Sequence, residues 1–559
     1  MSCNISYEES TIEYPDPSIY MQINNNIDDN GTLNFHQAIY APDWDQFQLS
    51  AIKEIQTLEN MNTWEEIDRA LVPEGHKILG GTWVFKRKKA PDGTIIKHKA
   101  RYCVRGDQQV HGVDYFESYA PVCMWSTVRL CLVLSIVADL ASIQVDYTNA
   151  FAQATLHEEV YIQVPTGFTA ANPNMNTVLK LRKSLYGLVQ APRTFYEFLT
   201  SNLKDCGFEC CVNIDPCLWI HKKKKIICVI WVDDCLFFAK TKDIILHFIE
   251  EIKQVMPLTV ETTVTAFLGI QVKRDKEKYE LTQPGLIRQI IKATDMEDCN
   301  STKTTASTTP TSSDTNGEPF DEKWAYASIV GMLMFLANNS RPDIAYATHQ
   351  CARFTHAPKK SHALAIKKIV RYLQGTKDKG LFIKPSQSFS IDCYVDADFA
   401  GLFGHEDAQT VTSVKSRTGY VLLLADCPLL WVSKLQTMVA SSTMEAEYIA
   451  LSTAMRDLIP MRRLLTLVCD TIFGVKNYKV KMHSSVFEDN NGALQLARAP
   501  RMTPRTKHYG IKYHFFRENV SNGDIQLYKV DTKEQRADIF TKGLLSTIFE
   551  HLRALLMRW

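Results

Sequence analysis

Residues 226–240 read IICVIWVDDCLFFAK, an apolar run broken at its centre by two adjacent carboxylates, Asp233 and Asp234. Their neighbours Ile230, Trp231, Val232, Leu236, Phe237 and Phe238 are bulky and apolar. Two ionised, unpaired carboxylates buried among them would carry a heavy desolvation cost. A bound divalent cation removes it. Two carboxylates on a tight turn and a third from another strand can hold a pair of Mg²⁺ ions, which activate a hydroxyl nucleophile and steady a departing pyrophosphate. The third candidate is Asp146 in QVDYTNAF, again a lone acid in an apolar strand pattern. An exposed hairpin tip is the alternative for the Asp pair, and the apolar flanks fit it less well.

A second group of acids lies far downstream. YVDADFAG puts Asp396 and Asp398 on a predicted strand, and acids recur in SSTMEAEYIAL, FEDNNGALQLA and EQRADIFTK. Composition alone gives acids this dispersed no meaning, but each adjoins apolar strand or helix residues. Cations are concentrated too. Residues 77–105 hold nine Lys or Arg against one acid, Asp92, which marks polyanion contact at one place on a chain of net charge +1. PRMTPRTKHYGIKYHFFREN sets Arg501, Arg505, Lys507, His508, Lys512, His514 and Arg517 among aromatics. That pattern suits a track for a nucleic-acid backbone, or else an amphipathic helix with a solvated basic face. The run Lys222 to Lys225 reads as a solvated hairpin turn.

These residues need elements to hold them. DWDQFQLSAIKEIQTLENMNTW has helical periodicity with Phe47, Ile52, Ile55 and Leu58 on one face. WVFKRKKAPDGTIIKHKARYCV is two alternating runs around Pro-Asp-Gly, a hairpin signal. Residues 127–141 read as an apolar helix, IQVDYTNAF as a strand entering a turn, and RTFYEFLTSNLKDCGF as an amphipathic helix, with strands resuming at CLWI and IICVIWV. The Ser/Thr-rich stretch 300–319 reads as an exposed linker. After it, YASIVGMLMFLA and HALAIKKIVRYLQG predict two packed helices, and alternating strands open at SIDCYVDADFAG.

The chain has 559 residues, 45% of them apolar and 22% charged, which suits several globular domains. The expected division is an acidic, disordered tail over 1–35, a first folded region over 36–299, the linker over 300–319, a helical connecting segment over 320–388, and a final domain over 389–559 ending in a helix. The fifteen cysteines are scattered and never spaced C-x-x-C, which predicts reduced thiols and argues against zinc even around Cys206, Cys210 and Cys211. The N-terminus lacks a secretory pattern, and no apolar run reaches the ~18 residues that span a bilayer. A soluble, non-secreted chain without membrane partners is expected.

From about residue 36 to its end, the sequence resembles the reverse transcriptase of copia-type long-terminal-repeat retrotransposons. Nine motifs carry the resemblance in order: DWDQFQLSAIKEIQTLENMNTW, WVFKRKKAPDGTIIKHKARYCVRG, DYFESYAPV, QVDYTNAF, EEVYIQVPTGF, LRKSLYGLVQAPRTFY, DPCLWI, WVDD and FLGI. The resemblance implies an α+β or α/β multidomain fold, with a right-hand polymerase of fingers, palm and connecting segment, then a ribonuclease H-like mixed-sheet domain. Asp146, Asp233 and Asp234 would bind two Mg²⁺, or Mn²⁺, and Phe151 would crowd a 2′-hydroxyl, an ordinary core Phe being the alternative. Lys86, Lys99 and Arg101 would meet the triphosphate, unless the hairpin is merely a solvated basic one. Tyr186 and Gly187 would line the nucleotide and template side. Trp231 stands where the family usually has Tyr, so the primer-end contact differs.

In the second region the resemblance implies Asp396, Glu447, Asp489 and Asp538 as the carboxylates of a ribonuclease H site with its own two Mg²⁺. Glu447 is chosen over Glu445 because it directly precedes the apolar Tyr-Ile-Ala-Leu run, and Asp398 is taken as a neighbour. The His that cellular ribonucleases H carry before the last Asp is missing here. Implied partners are an RNA template, a DNA primer, RNA:DNA hybrid, deoxynucleoside triphosphates, and the integrase and capsid proteins of the same element. The implied setting is a cytoplasmic virus-like particle, with the nucleus as the alternative. A catalytically decayed or co-opted nucleic-acid-binding relic is the competing function.

Overall fold

The computed structural model describes residues 6–7, 32–89, 95–172, 174–211, 214–406, 410, 412–473, 484–499 and 513–559. The first body is built on the hairpin of Gly81–Lys89 and Ile95–Val104, with Thr32–Leu33 added at its edge. Strand alternation gives the hairpin two unlike faces. Trp83, Phe85, Ala100 and Tyr102 point into a core and are at most 4% exposed. Helix Trp44–Asn60 covers them with Phe47, Ala51, Ile55 and Leu58, spaced at helical intervals and buried. The opposite face carries Lys86, Lys99 and Arg101, with Lys86 directly across from Lys99 and Val84 across from Arg101. Asp43 locks hairpin to helix by pairing Arg87 at 2.6 Å and His98 at 2.6 Å. The Arg87 guanidinium holds the Asp43 carboxyl far below the usual carboxylate range.

The second body is a six-stranded antiparallel sheet in the order Glu209–Cys210, Leu218–His221, Ile226–Trp231, Asp234–Ala239, Ala141–Tyr147, Leu258–Glu261. The two central strands are buried along almost their whole length, which is why IICVIW and CLFFA read as unbroken apolar runs. Helix Lys242–Lys253 packs on this sheet through Ile245, Phe248, Ile249 and Ile252. Helix Trp125–Val137 is apolar nearly all round and buried accordingly.

Residues 266–383 add a four-stranded antiparallel sheet, closed by Leu381–Ile383, and the helices Pro284–Ala293, Tyr326–Asn339, Ala345–Ala352 and Lys360–Gly375. Much of the Ser/Thr-rich stretch 300–319 is exposed. It runs as a strap along these helices: Thr305 is buried, Thr302 donates its backbone N–H to Arg371, and Arg353 donates to the Thr311 carbonyl at 3.2 Å. Its hydroxyls and carbonyls find polar partners on the helix surfaces, so a polar sequence can lie flat there without an apolar pattern.

The last body is a five-stranded mixed sheet in the order Cys427–Leu435, Arg417–Leu424, Ile391–Asp398, Ser484–Glu488, Ile525–Lys529. The first three strands are antiparallel and the last two run parallel to Ile391–Asp398. The long helix Thr443–Phe473 crosses it, and helix Ser546–Met557 follows at the C-terminal side. One continuous apolar core runs from Cys123 to Met557, while the hairpin body has a core of its own. Among the described residues the cysteines are free thiols, and no helix is long and apolar enough to cross a membrane. Of the stretch 1–35, Ser6–Tyr7 pairs with Phe168–Thr169 and Thr32–Leu33 pairs with Lys86 and Phe85. Asn34 caps the short helix Phe35–Ala38, so the fold begins by residue 32 and not after the tail expected to run to 35; residues 1–5 and 8–31 lie outside the described residues.

Candidate active sites

Strand register brings the first carboxylates together. Asp234 lies directly opposite both Trp231 and Asp146, and the Tyr147 N–H donates to the Asp233 carbonyl at 3.2 Å. The chain reverses through Val232 and Asp233, with Val232 at φ 52°. A β-branched residue in the left-handed region costs on the order of 1–2 kcal/mol. Strain of that kind persists only where surrounding structure enforces it. Asp233 and Asp234 are half-buried and Asp146 is exposed. Burial and the charge of Asp233 push Asp234 up to about 6, against donation from Gln144 Nε2 at 3.3 Å. Burial and Asp233 also raise Asp146, while Lys99 and Arg101 pull it down. The three acids raise one another electrostatically, but among the described residues only Asp396, Glu447 and Asp489 gather their ligand atoms closely enough to hold a metal ion as they stand.

The cationic hairpin face lies across from these acids. Burial, then Arg101, lower the Lys99 pKa, while Asp146 and Glu54 raise it. The Arg101 guanidinium carbon stands 4.3 Å over the Tyr186 ring. Phe151, on the short helix Ala150–Gln153, meets Tyr186 edge-on at 4.8 Å and Phe195 at 6.1 Å. Gly187 has φ +93°, and a Cβ there would stand 2.1 Å from the Val104 carbonyl oxygen. Its role in the structure is close backbone packing, fastened by Val104 N–H donating to Tyr186 at 2.7 Å. Trp231 is half-buried, its ring 6.5 Å from that of Trp125. Glu54 escaped the sequence reading. It is 9% exposed, raised by burial, and opposed by Arg101 and Lys99, so it sits beneath the cationic face. Its place on an ordinary amphipathic helix carried no signal of that role.

The second carboxylates converge more tightly. Among the described residues, Asp396, Glu447 and Asp489 form a group whose ligand atoms all lie within 4.8 Å of one another. Asp396 stands near the carboxyl end of strand Ile391–Asp398, and Asp489 directly follows the neighbouring parallel strand. Carboxyl ends of parallel strands are where ligands gather in open sheets of this kind. Glu447 comes from the start of helix Thr443–Phe473 and is 4% exposed. Glu445 points elsewhere, accepting from the Ser441 N–H at 2.7 Å and hydroxyl at 2.5 Å. Asp538 approaches on the turn Arg536–Phe540, which lies against Gly419; a Cβ at Gly419 would stand 2.5 Å from Thr541.

Electrostatics here is that of an acidic cluster that one cation, Lys542, offsets only in part. Burial and the charges of Glu488, Asp396 and Asp489 raise Glu447 well above the usual carboxylate range. Burial and Asp396 push Asp538 up to about 7. Glu447 Oε2 and Glu488 Oε2 are buried without hydrogen-bond partners among the described residues. Orphaned carboxylate oxygens in an acidic cluster fit a divalent cation, the partner that would satisfy them. Thr541 donates its hydroxyl to Asp396, and Lys542 Nζ sits 2.9 Å from Asp538 and 3.7 Å from Asp396. Burial opposes the charge on Lys542, yet Asp396 and Asp538 outweigh it and raise its pKa. Neither Lys542 nor the buried Glu488 was visible in the sequence. Asp398 is raised by burial and by Asp396, as a neighbour of the cluster would be.

The basic and aromatic track is seen only at its end. Arg501, Arg505, Lys507, His508 and Lys512 lie outside the described residues. His514 is 7% exposed and shares a hydrogen bond with the Tyr448 hydroxyl at 2.8 Å. That imidazole ties the segment to the Glu447 helix and does not face solvent.

Residues 61–308 match the reverse transcriptase (RNA-dependent DNA polymerase) family. The chain is 32% identical over 500 residues to the retrovirus-related Pol polyprotein from transposon RE1 of Arabidopsis thaliana, across 89% of this chain and 33% of that protein. It is 30% identical over 539 residues to the corresponding polyprotein from transposon TNT 1-94 of Nicotiana tabacum, across 94% of this chain and 38% of that protein. The putative transposon Ty5-1 protein of Saccharomyces cerevisiae is 29% identical over its whole length, which is 56% of this chain. The chain spans about a third of the length of the two plant relatives. Residues 61–308 therefore belong to the reverse transcriptase family, and the chain around them is homologous to the Pol polyproteins of copia-type transposons.

Proposed function

We propose that the chain copies RNA and DNA templates into DNA and cleaves the RNA strand of RNA:DNA hybrids. In this reading the hairpin body is the fingers, the six-stranded sheet is the palm, the helices around the strap are the connecting segment, and the five-stranded sheet is a ribonuclease H-like domain. The observation that carries it is the register setting Asp234 against Asp146, below a hairpin face of Lys86, Lys99 and Arg101.

Asp146, Asp233 and Asp234 would hold the cations of the polymerase site; Asp396, Glu447, Asp489 and Asp538 would hold those of the nuclease. Bound Mg²⁺, or Mn²⁺, supplies nucleophile activation and neutralises charge developing on phosphate. The protein's own residues do the rest. Lys99 and Arg101 place positive charge where the triphosphate of a deoxynucleotide would enter, with Lys86 beside them. Arg101 is oriented by the Tyr186 ring and Phe151 is held by Tyr186, so a gate against the 2′-hydroxyl would be rigid. Trp231 would border the primer end. The nuclease carboxylates suit in-line attack of water on a phosphodiester, and Arg505, Lys507 and His508 would follow the hybrid backbone. Template, primer and hybrid are then the partners, with other proteins of the same element beside them.

Primer extension by the full chain on an RNA template with Mg²⁺, beside Asp233→Asn, tests the reading. Extension by wild type and its loss in the variant are expected. Silence in both with hybrid cleavage retained would make the chain a nuclease alone, and silence in both assays would make it a nucleic-acid-binding relic.

A further inference from the structure

Arg129 sits on helix Trp125–Val137, 2% exposed, at the junction of three parts of the chain. Its Nη1 donates to the Leu429 carbonyl at 2.8 Å, and its Nη2 to the carbonyls of Asn338 at 2.6 Å and Asn339 at 2.8 Å. The guanidinium carbon lies 4.1 Å over the Trp431 ring and 5.7 Å from that of Trp125. Carbonyl dipoles and indole faces are its partners, and no carboxylate balances its charge: burial alone moves its pKa, down to about 9. Nε is buried without a hydrogen-bond partner among the described residues. A charge left in this state carries an unpaid desolvation cost.

Beside Arg129 opens a cavity of about 510 Å³, walled by Trp125, Asn339, Trp431, Met461 and Leu464. That volume falls within the ~300–1,000 Å³ of small-molecule sites, as does a mostly apolar wall with a few polar groups. Asp457 also reaches the wall, but its carboxylate accepts the Tyr420 hydroxyl and does not figure in the charge balance of Arg129.

We propose that this cavity binds a small planar aromatic anion, its rings among the indoles and aliphatic walls and its charged group toward Arg129. An anion supplies the counter-charge that the fold withholds, and aromatic rings match Trp125 and Trp431. The site lies beside elements that carry the two carboxylate clusters. The Trp125 ring contacts Trp231, which pairs with Asp234, and Met461 lies on the helix that carries Glu447. An occupant would therefore bear on two carboxylate clusters at once.

Fluorescence titration of the full chain with 8-anilinonaphthalene-1-sulfonate tests the site, with N-phenyl-1-naphthylamine, which lacks the sulfonate, as the neutral control. One saturable equivalent is expected, at least tenfold tighter for the anion than for the neutral dye. Arg129→Gln should erase that preference and leave neutral-dye binding in place. Met461→Trp, which fills the cavity and spares the buried arginine, should abolish the stoichiometric site for both dyes. It keeps the test decisive if the glutamine variant does not fold. Non-saturating binding, equal affinity for the two dyes, or one-equivalent binding that survives Met461→Trp would overturn the proposal.

Discussion

Glu447 and Asp538 carry charge where the fold disfavours it, and that has a measurable sign. Burial and Asp396 raise Asp538 to about 7, above the ~4 of an unfolded Asp. The folded, metal-free chain thus keeps a proton that the unfolded chain releases at lower pH. The stability this contributes is complete below about pH 4 and lost as pH rises through about 7. Cations favour the ionised acids, so Mg²⁺ should raise the unfolding midpoint more at about pH 8 than at about pH 5.5. Equal shifts in a thermal scan would contradict this. Glu447→Gln removes a crowded charge and a ligand together. It should raise the metal-free midpoint most near pH 8, with the gain shrinking as pH falls toward about 4, and cut hybrid cleavage by about 100-fold. Phe151→Val opens space at the ring held by Tyr186. Ribonucleotide use relative to deoxynucleotide use should rise by roughly 10–100-fold in single-nucleotide incorporation, the scale at which apolar pockets discriminate. An unchanged ratio would return Phe151 to a packing role.

At the scale of elements, close approaches set the sites. Gly419 lets the Asp538 turn lie against the central strand, since a Cβ would meet Thr541 at 2.5 Å and Phe540 at 2.9 Å. Gly419→Ala should push that turn away and depress hybrid cleavage while primer extension continues, a split that assays of one preparation would reveal. Val232→Gly should relieve the left-handed strain and stabilise the turn by roughly 1 kcal/mol in denaturant unfolding. The hairpin and the strands of the six-stranded sheet were legible in sequence because their signals are local: alternation separates Trp83 and Phe85 from Lys86, and Asp146 and Asp233 interrupt apolar runs. Glu447 and Glu445 stand two residues apart in the sequence, yet only Glu447 lies in the group with Asp396 and Asp489, while Glu445 accepts from Ser441. Glu54, Lys542 and Arg129 were not legible. Each draws its meaning from residues far along the chain, Arg129 from carbonyls 209 to 300 positions away, and periodicity carries no record of such contacts. The course of 300–319 along the helices was not legible for a related reason: it is held through hydrogen bonds that leave no apolar pattern.

Across the whole molecule, a shared core from Cys123 to Met557 holds both carboxylate clusters, and Arg129 clips the helix under one to the sheet of the other. The clusters share no residue, so the two proposed activities should be separable by single substitutions. The most direct measurement is a paired assay of the full chain with Mg²⁺, scoring primer extension on an RNA template and RNA cleavage in a preformed hybrid, for wild type, Asp234→Asn and Glu447→Gln. Assignment of one carboxylate cluster to each activity predicts both activities in wild type, cleavage without extension in Asp234→Asn, and extension without cleavage in Glu447→Gln. Loss of both activities in either folded variant, or extension that survives Asp234→Asn, would contradict it.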